Sequence, residues 1–454
     1  MIENLVSKYN IPGPRYTSYP TVPFWQSDDF SIQAWKSSLH KSINESNGKD
    51  AISLYIHLPF CEQLCTFCGC NKRITKNHEV EIPYLESVLK EWNLYSSMLV
   101  ERPLIRELHL GGGTPTFFSP ENLAKLINGI FKLAEKTTDA SISFEGHPNN
   151  TSFNHLDTLK KLGFNRVSFG VQDYNLRVQQ AINRIQPFQN VQRVTEQARQ
   201  LRYTSVGHDL VFGLPFQTKD DIINTIDKTI ELSPDRIAFY SYAHVPWIKG
   251  NGQRGFKDSD LPSAELKREM YETGKARLIS QGYVEIGMDH FALKNDSLYS
   301  AMINQSLHRN FMGYTELKTQ TMIGLGVSAI SDSWYGFAQN IKSVEEYQAC
   351  IENKELPVFR GHILNEEDLI VRKHILNLMC TLYTSWTSEE LFLKQFPQII
   401  DRLKEMEADG LIQIGDDYIQ VLEQGRPFVR NVCMAFDLRL QRAIPDTQLF
   451  SMTI

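Results

Sequence analysis

The 454-residue chain contains no apolar run long enough to span a bilayer. Its opening residues, Met1-Ile2-Glu3-Asn4-Leu5-Val6-Ser7-Lys8, lack the basic-then-apolar order of a secretory signal. Positive charge is not in excess. The net charge is −6 and the pI about 6.1, so neither nucleic acid nor an anionic membrane is expected as a partner. Low-complexity tracts and internal repeats are absent. Gly111-Gly112-Gly113 is not followed by the Gly-Lys-Ser/Thr of a phosphate-binding loop. Gly324-Leu325-Gly326-Val327-Ser328-Ala329 superficially fits a dinucleotide fingerprint, but no βαβ pattern surrounds it. Cysteine is sparse and odd in number, at seven, which does not suit a disulfide-stapled secreted protein. Cys350, Cys380 and Cys433 are scattered and read as reduced core residues, so a cytoplasmic location is expected. Hydrophobic residues make up 42% and charged residues 22%, the balance of a globular protein. The length exceeds one ordinary compact domain unless that domain is a large barrel with an appendage.

The remaining four cysteines stand together in Tyr55-Ile56-His57-Leu58-Pro59-Phe60-Cys61-Glu62-Gln63-Leu64-Cys65-Thr66-Phe67-Cys68-Gly69-Cys70. Cys61, Cys65 and Cys68 put three thiolates on one short loop. Three thiolates can hold three irons of a [4Fe-4S] cube and leave the fourth open, whereas an ordinary electron-transfer cluster takes four cysteines. A structural zinc site normally uses two cysteine clips separated by an intervening segment, and Cys68-Gly69-Cys70 is a poor clip. A disulfide pair lacks secretory context. The spacing resembles the radical S-adenosylmethionine (SAM) superfamily. That resemblance implies a cluster whose open iron binds SAM and a reaction that proceeds through a 5′-deoxyadenosyl radical.

Downstream, short apolar runs alternate with helical patterns. The strand-like runs are Ile52–His57, Arg106–Leu110, Ser141–Glu145, Arg166–Gly170, Thr204–Phe212 and Arg236–Tyr242. Helices are expected over Ile82–Met98, Pro120–Ala134, Gln189–Leu201 and Thr218–Leu232, with Ser119 as an N-cap and Pro120 at the first helical position. Six β/α units in succession imply a parallel sheet with right-handed crossovers. An eight-strand barrel or an open doubly wound sheet would read similarly at this level. The placement of polar residues favours an α/β fold built on a partial (β/α)6 barrel. His57, Gly111–Gly113, Glu145, Gln172, Asp209 and Ala243-His244 fall on or just after successive strands, where such folds place their chemistry. From about Asn365 helices dominate, over Glu366–Leu382, Thr387–Phe396 and Ile399–Asp409. Gly410–Ile414 and Tyr418–Val421 read as a two-stranded wing, and Leu422–Arg439 as a closing helix. The expected division is therefore an N-terminal segment plus catalytic barrel over 1–364 and an α-rich C-terminal domain with a hairpin over 365–454.

Further segments extend the likeness. Gly13-Pro14-Arg15-Tyr16-Thr17-Ser18-Tyr19-Pro20-Thr21, Phe67-Cys68-Gly69-Cys70-Asn71-Lys72, Gly170-Val171-Gln172-Asp173, Asp209-Leu210-Val211-Phe212-Gly213-Leu214-Pro215, Gly287-Met288-Asp289-His290-Phe291 and His308-Arg309-Asn310 resemble the oxygen-independent coproporphyrinogen III oxidases. The resemblance covers nearly the whole chain. It implies oxidative decarboxylation of two propionates of coproporphyrinogen III to vinyl groups, giving protoporphyrinogen IX in haem biosynthesis. It also implies that Cys61, Cys65 and Cys68 ligate the cluster, and that Cys70 serves activity without ligating iron. Two SAM molecules are implied. Tyr55, Gly112, Glu145 and Ile330 would hold the first, and Phe67, Gly113, Thr114, Gln172, Arg184, Asp209 and Ala243 the second. The residue chemistry agrees: glycines admit close backbone approach, Glu145 accepts from an ammonium, and Arg184 forks onto a carboxylate.

The same resemblance implies a substrate with four propionates, which calls for cations. Arg15, Lys72, Arg73 and Arg309 are candidates by motif position, with Arg15 and Arg309 expected to bind substrate. Each judged singly is more often a surface residue. An external electron donor and acceptor are implied as partners, and a monomer is expected. The chain departs from the common bacterial pattern at Glu145-Gly146-His147-Pro148 and at Met312 and Glu316. Competing readings are a radical SAM haem chaperone and a haem-ring-opening methyltransferase. The chaperones typically lack both the fourth motif cysteine and the Arg-Tyr-Thr-Ser-Tyr-Pro segment present here.

Overall fold

The structure is a computed structural model that describes residues 2–26, 30–45, 51–99, 101–246, 252–387, 397–443 and 449–453. Strand β1, Ile52–Leu58, shows how the sheet is built. Leu54, Ile56 and Leu58 are fully buried on one face, while Tyr55 and His57 alternate with them and point to the other. Strands β2 Leu104–Gly112, β3 Glu135–Gly146, β4 Arg166–Gln172, β5 Ser205–Phe212 and β6 Arg236–Ser241 follow in spatial order, each parallel to the last. Helices α1 Glu81–Ser96, α2 Pro120–Lys132, α3 Phe153–Lys161, α4 Phe188–Gln200 and α5 Lys219–Leu232 make the crossovers. They cover the apolar face of the sheet. In α1 the stripe Tyr84, Val88, Trp92 and Tyr95 is wholly buried, at the spacing of one helix face. Ser119 caps α2 by accepting from Asn122 N–H at 3.2 Å.

These are the six β/α units expected from the sequence. The strand order runs linearly without returning on itself, so the barrel is partial. The sheet then grows at both ends, in a region where the apolar pattern marked no strands. Helix α6, Ala264–Ser280, precedes the edge strand β7, Tyr283–Gly287, and β8, His290–Leu293, which pairs antiparallel with β6. At the other end β9, Met322–Leu325, joins β1 in parallel, and β10 Ile330–Asp332, β11 Gly336–Asn340 and β12 Val358–Ile363 follow antiparallel. Twelve strands form the one sheet.

The C-terminal region contains α7 Glu366–Thr381, α8 Gln398–Ala408 and α9 Val429–Phe436. The helix expected over Thr387–Phe396 lies, apart from Thr387, outside the described residues. The expected two-stranded wing has a third strand, Tyr383–Ser385, paired with Tyr418–Val421. The single closing helix over Leu422–Arg439 is corrected to a 3-10 turn, Glu423–Phe428, then α9, then a short helix, Leu438–Arg442. Pro427 lacks an N–H for a regular helix. Asp437 ends α9 and caps the next helix, accepting from Leu440 N–H at 2.9 Å. The N-terminal residues Val6, Tyr9, Tyr16 and Tyr19 share one apolar cluster with Val371, Ile375, Phe428 and Cys433 of this region. Among the described residues no helix is long and apolar enough to cross a membrane.

Candidate functional site

The parallel register brings the polar faces of the strands into rows. Tyr55 stands beside His109, and His109 beside Ser143. One step further along the strands, Glu145 stands beside Ser168, and Gly170 beside Asp209. Tyr55 stacks on His109 at 6.1 Å between ring centroids. The Tyr55 hydroxyl lies 3.0 Å from His57 Nδ1, and His57 Nε2 donates to Asn71 O at 2.8 Å. His109 Nε2 lies 3.4 Å from Glu145 Oε1. Burial lowers the pKa of His57, so it stays a neutral ring bonded at both nitrogens.

Above this floor, at the C-terminal ends of β1–β5, lies a cavity of about 410 Å³. Cys61, Cys65, Cys68 and Cys70 line it on one side, with Phe67 between two of them. Gly112, Gly113 and Thr114 line it from the end of β2, Glu145 from β3, Gln172 from β4, Arg184 from the connection leading to α4, and Asp209 from β5. Twelve residues scattered over 150 positions of sequence thus meet in one space. Tyr55 lies beneath it in the His109 row, one step below Glu145. Ala243 is joined to it through Gln253, which donates to Ala243 O at 2.8 Å and to Phe67 O at 3.3 Å. Ile330 does not line this cavity. It sits on β10 against the cluster of Trp25, Phe337 and Leu364.

Two glycines here admit no side chain. At Gly112, with φ of +116°, a Cβ would stand 2.9 Å from the His57 ring. At Gly113 a Cβ would stand 2.5 Å from Pro59 O and 3.0 Å from Cys61 Sγ. The bare backbone of the β2 turn therefore runs directly against the cysteine loop. Gln172 holds a φ of +68°, a strained conformation that concentrates at functional sites.

Electrostatics separate the thiols. Burial pushes Cys61 up to about 11, against the opposing hydrogen bond from Thr114, whose Oγ1 lies 3.3 Å away. The Cys70 thiol beside Cys68 brings Cys68 down to about 6, and burial opposes it. Cys70 is correspondingly raised by Cys68. Lys72 reaches the carbonyls of both, at 3.2 and 3.3 Å. Arg184 Nη1 approaches Cys65 Sγ at 3.7 Å, and its Nη2 donates to Gly170 O at 2.6 Å. Part of Asp209 reaches the cavity surface, yet burial raises it to about 7, although Ser168 Oγ donates to it at 2.8 Å.

The residues fit a cluster with a bound sulfonium cofactor. Arg184 Nε is buried without a partner, an atom a carboxylate would satisfy. Among the described residues no three His, Cys, Asp or Glu side chains converge as on a single metal ion. Three thiolates of an iron–sulfur cube bind separate irons and stand wider apart, which is not the tight tetrahedral set of structural zinc. Sequence reading passed over His109, although it lies two residues before Gly111 on the same face of β2, a period-2 signal.

Of the cation candidates, Arg15 pairs with Asp289. Arg309 donates to Arg15 O at 3.3 Å and stacks on Tyr314 at 4.5 Å. Its Nε and Nη1 are buried without partners. Lys72 lines the cysteine cavity, and Arg73 pairs at the surface with Glu345. Neither Arg15 nor Arg309 lines the cysteine cavity.

Residues 55–229 match the family model of the radical SAM superfamily. The oxygen-independent coproporphyrinogen III oxidase of Pseudomonas aeruginosa is 38% identical over 442 residues, covering 96% of this chain and 95% of that protein. The protein of the same name from Synechocystis is 38% identical, covering 99% and 97%. The solved structure of coproporphyrinogen III oxidase from Escherichia coli, described as a radical SAM enzyme, superimposes with a TM-score of 0.88. It is 36% identical and covers 93% of this chain and 97% of that one.

Proposed function

The chain belongs to the oxygen-independent coproporphyrinogen III oxidases of the radical SAM superfamily, and from that membership we propose that it decarboxylates two propionates of coproporphyrinogen III to vinyl groups, giving protoporphyrinogen IX for haem biosynthesis. One observation carries the reading. A single cavity joins the three-cysteine loop to bare glycine backbone, a carboxylate and an arginine from successive strand ends.

The propionate Cβ–H is not acidic, and no general base removes it at neutral pH. A cluster with SAM, when bound, would supply the radical chemistry able to take this hydrogen. The protein's part is positioning. Cys61, Cys65 and Cys68 would hold the cluster. Gly112 and Gly113 let backbone reach the methionine portion of SAM. Glu145 would accept from its ammonium, oriented by His109. Tyr55, pinned by His57, would close the floor beneath it. Arg184, bonded on one side to Gly170 O, has Nε free for a carboxylate. Asp209 and Gln172 stand at the same end, which supports a second SAM there with Phe67, Thr114 and Ala243. Cys70, exposed and lining the cavity with Cys68, would act on bound cofactor or substrate without being a ligand. All seven cysteines are free thiols, in keeping with a reducing compartment.

The test is anaerobic incubation of the iron-reconstituted protein with SAM, a low-potential reductant, an electron acceptor and coproporphyrinogen III, with porphyrins separated after oxidation. Protoporphyrin with methionine and 5′-deoxyadenosine is expected. Unchanged substrate with tight haem binding would replace this reading with the chaperone. S-adenosylhomocysteine as the main product would indicate a methyltransferase.

A further inference from the structure

A second cavity, of about 490 Å³, lies where α6, the β7–β8 turn, the N-terminal segment and the C-terminal helices meet. It shares no lining residue with the cysteine cavity. Its walls are apolar in part, with Met288, Met302, Met379 and Tyr314. Five cations also line it: Arg15, Lys267, Arg268, Arg426 and Arg430. Three of them have carboxylate partners. Arg15 pairs with Asp289, Arg268 with Glu272, and Arg426 with Glu423 and Glu285.

Lys267 and Arg430 are different. Neither has a carboxylate within ion-pair distance among the described residues. Lys267 Nζ donates to Tyr242 O at 3.1 Å. Arg430, which is 5% exposed, donates to the carbonyls of Gly13, Pro14 and Met452. Burial, and then the nearby Arg15 charge, bring Lys267 down to about 8 and Arg430 to about 9. A charge withdrawn from water without a counter-ion is costly to hold. This fold supplies counter-ions to the neighbours of these two cations and not to the cations themselves.

We propose that Lys267 and Arg430 bind the two propionates of coproporphyrinogen III that do not react. The inference rests on the function proposed above. The count agrees, since two of four propionates are retained and two of the five cations lining this cavity lack a carboxylate. The location agrees as well. A carboxylate held here is kept away from the cysteine loop, so binding at this cavity selects which propionates reach the radical. A run of touching side chains, Tyr240, His290 and Tyr314, leads to the second cavity, which Tyr314 lines. Tyr240 feels the charge of Asp209 in the first and of Arg15 and Asp289 beside the second. Its hydroxyl lies 3.3 Å from His290 Nε2, and the His290 ring meets Tyr314 at 5.2 Å. The methionines and Tyr314 give the rim of the macrocycle an adaptable apolar surface, and the cations hold its acid side chains.

The test uses reconstituted, cluster-loaded protein. In Lys267→Met the KM for coproporphyrinogen III rises about tenfold, a typical loss for one charged hydrogen bond, while the KM for SAM is held; Lys267→Arg restores most of it. Arg430→Lys, which keeps a donor toward Gly13 and Pro14, shows the same split. With coproporphyrin III as a stable probe, wild type binds the tetra-acid more tightly than its tetramethyl ester, and Lys267→Met narrows that preference. An unchanged KM for the porphyrinogen in Lys267→Met, or a rise in both KM values together, overturns the proposal. Failure of the wild-type protein to convert the porphyrinogen overturns instead the function on which it rests.

Discussion

Replacing Glu316 by Gln should cost about 3 kcal/mol of stability at neutral pH. The structure places Glu316 at the N-terminal mouth of the barrel, against residues that open strands β4 and β6. It is 13% exposed. Arg166 Nη1 donates to its two oxygens at 3.1 and 3.3 Å, and Arg236 Nη2 lies 3.4 Å from Oε2. Ser297 and Ser141 complete the shell at 3.3 and 3.4 Å. Burial pushes this carboxyl up, but the two guanidinium groups outweigh it and bring it down to about 2 from 4.5. At about 1.36 kcal/mol per unit, that shift corresponds to roughly 3 kcal/mol of folding free energy. Removing one partner of a buried pair costs a similar amount, about 3–5 kcal/mol. The sign follows from a folded pKa lying below the unfolded one. The stabilisation is complete above about pH 5 and is lost as pH falls from 4.5 toward 2. Urea unfolding of wild type and Glu316→Gln, followed by tryptophan fluorescence, reads the difference as a shift in midpoint at constant slope. A difference under about 0.5 kcal/mol at pH 7, the scale of an ordinary surface substitution, would refute the buried-pair reasoning. So would a difference that stays constant from pH 6 to pH 3.

Other outcomes follow from the cysteine cavity. Cys61→Ala, Cys65→Ala and Cys68→Ala should each lose iron and sulfide on reconstitution, whereas Cys70→Ala keeps the cluster and loses turnover; equal iron loss in all four would remove Cys70 from the role given to it. Gly113→Ala should abolish SAM cleavage, because its Cβ would collide with Pro59 O and crowd Cys61 Sγ; measurable 5′-deoxyadenosine formation in that variant would show that the turn can give way. Asp209→Asn should weaken SAM binding with little effect on cluster content, and equilibrium dialysis against SAM measures the number bound in wild type and variant.

The sequence revealed different parts of this molecule to different degrees, for physical reasons. Strands β1–β6 were legible because a parallel strand buried on both faces reads as an apolar run, and each is followed by an amphipathic helix. The cysteine site was legible because its ligands lie within ten positions of one another. Strands β9–β12 were not. They are short and carry polar residues whose burial depends on remote partners: Asp332 is satisfied by Arg372, 40 positions away at 2.6 Å, and Asn340 by Glu91, 249 positions away at 2.6 Å. No local period encodes such pairs. The same holds for Glu316, whose arginines lie 150 and 80 positions away.

The cation cavity marks the boundary most clearly. By residue type Lys267 and Arg430 are expected to be solvated. Lys267 lies on an α6 whose polar and apolar residues do not separate cleanly into faces, and Arg430 lies in a segment that read as an uninterrupted closing helix. Their significance arises only when α6, α9 and the Gly13-Pro14 turn converge. Arg15 and Arg309 were found because they belong to local motifs; Arg15 turned out to be tied to Asp289, and Arg309, bonded to the Arg15 carbonyl with two buried nitrogens left unpartnered, stands outside the lining of the cation cavity. A search for substrate-binding cations by motif finds those anchored by sequence-local context. A search for buried charges lacking counter-ions finds those that a ligand must complete. On that criterion Lys267, bonded to one carbonyl only, should respond more sharply to substitution than Arg15, whose partner Asp289 already compensates its charge. Parallel KM measurements on Lys267→Met and Arg15→Met test this ordering, and a larger effect at Arg15 would reverse it.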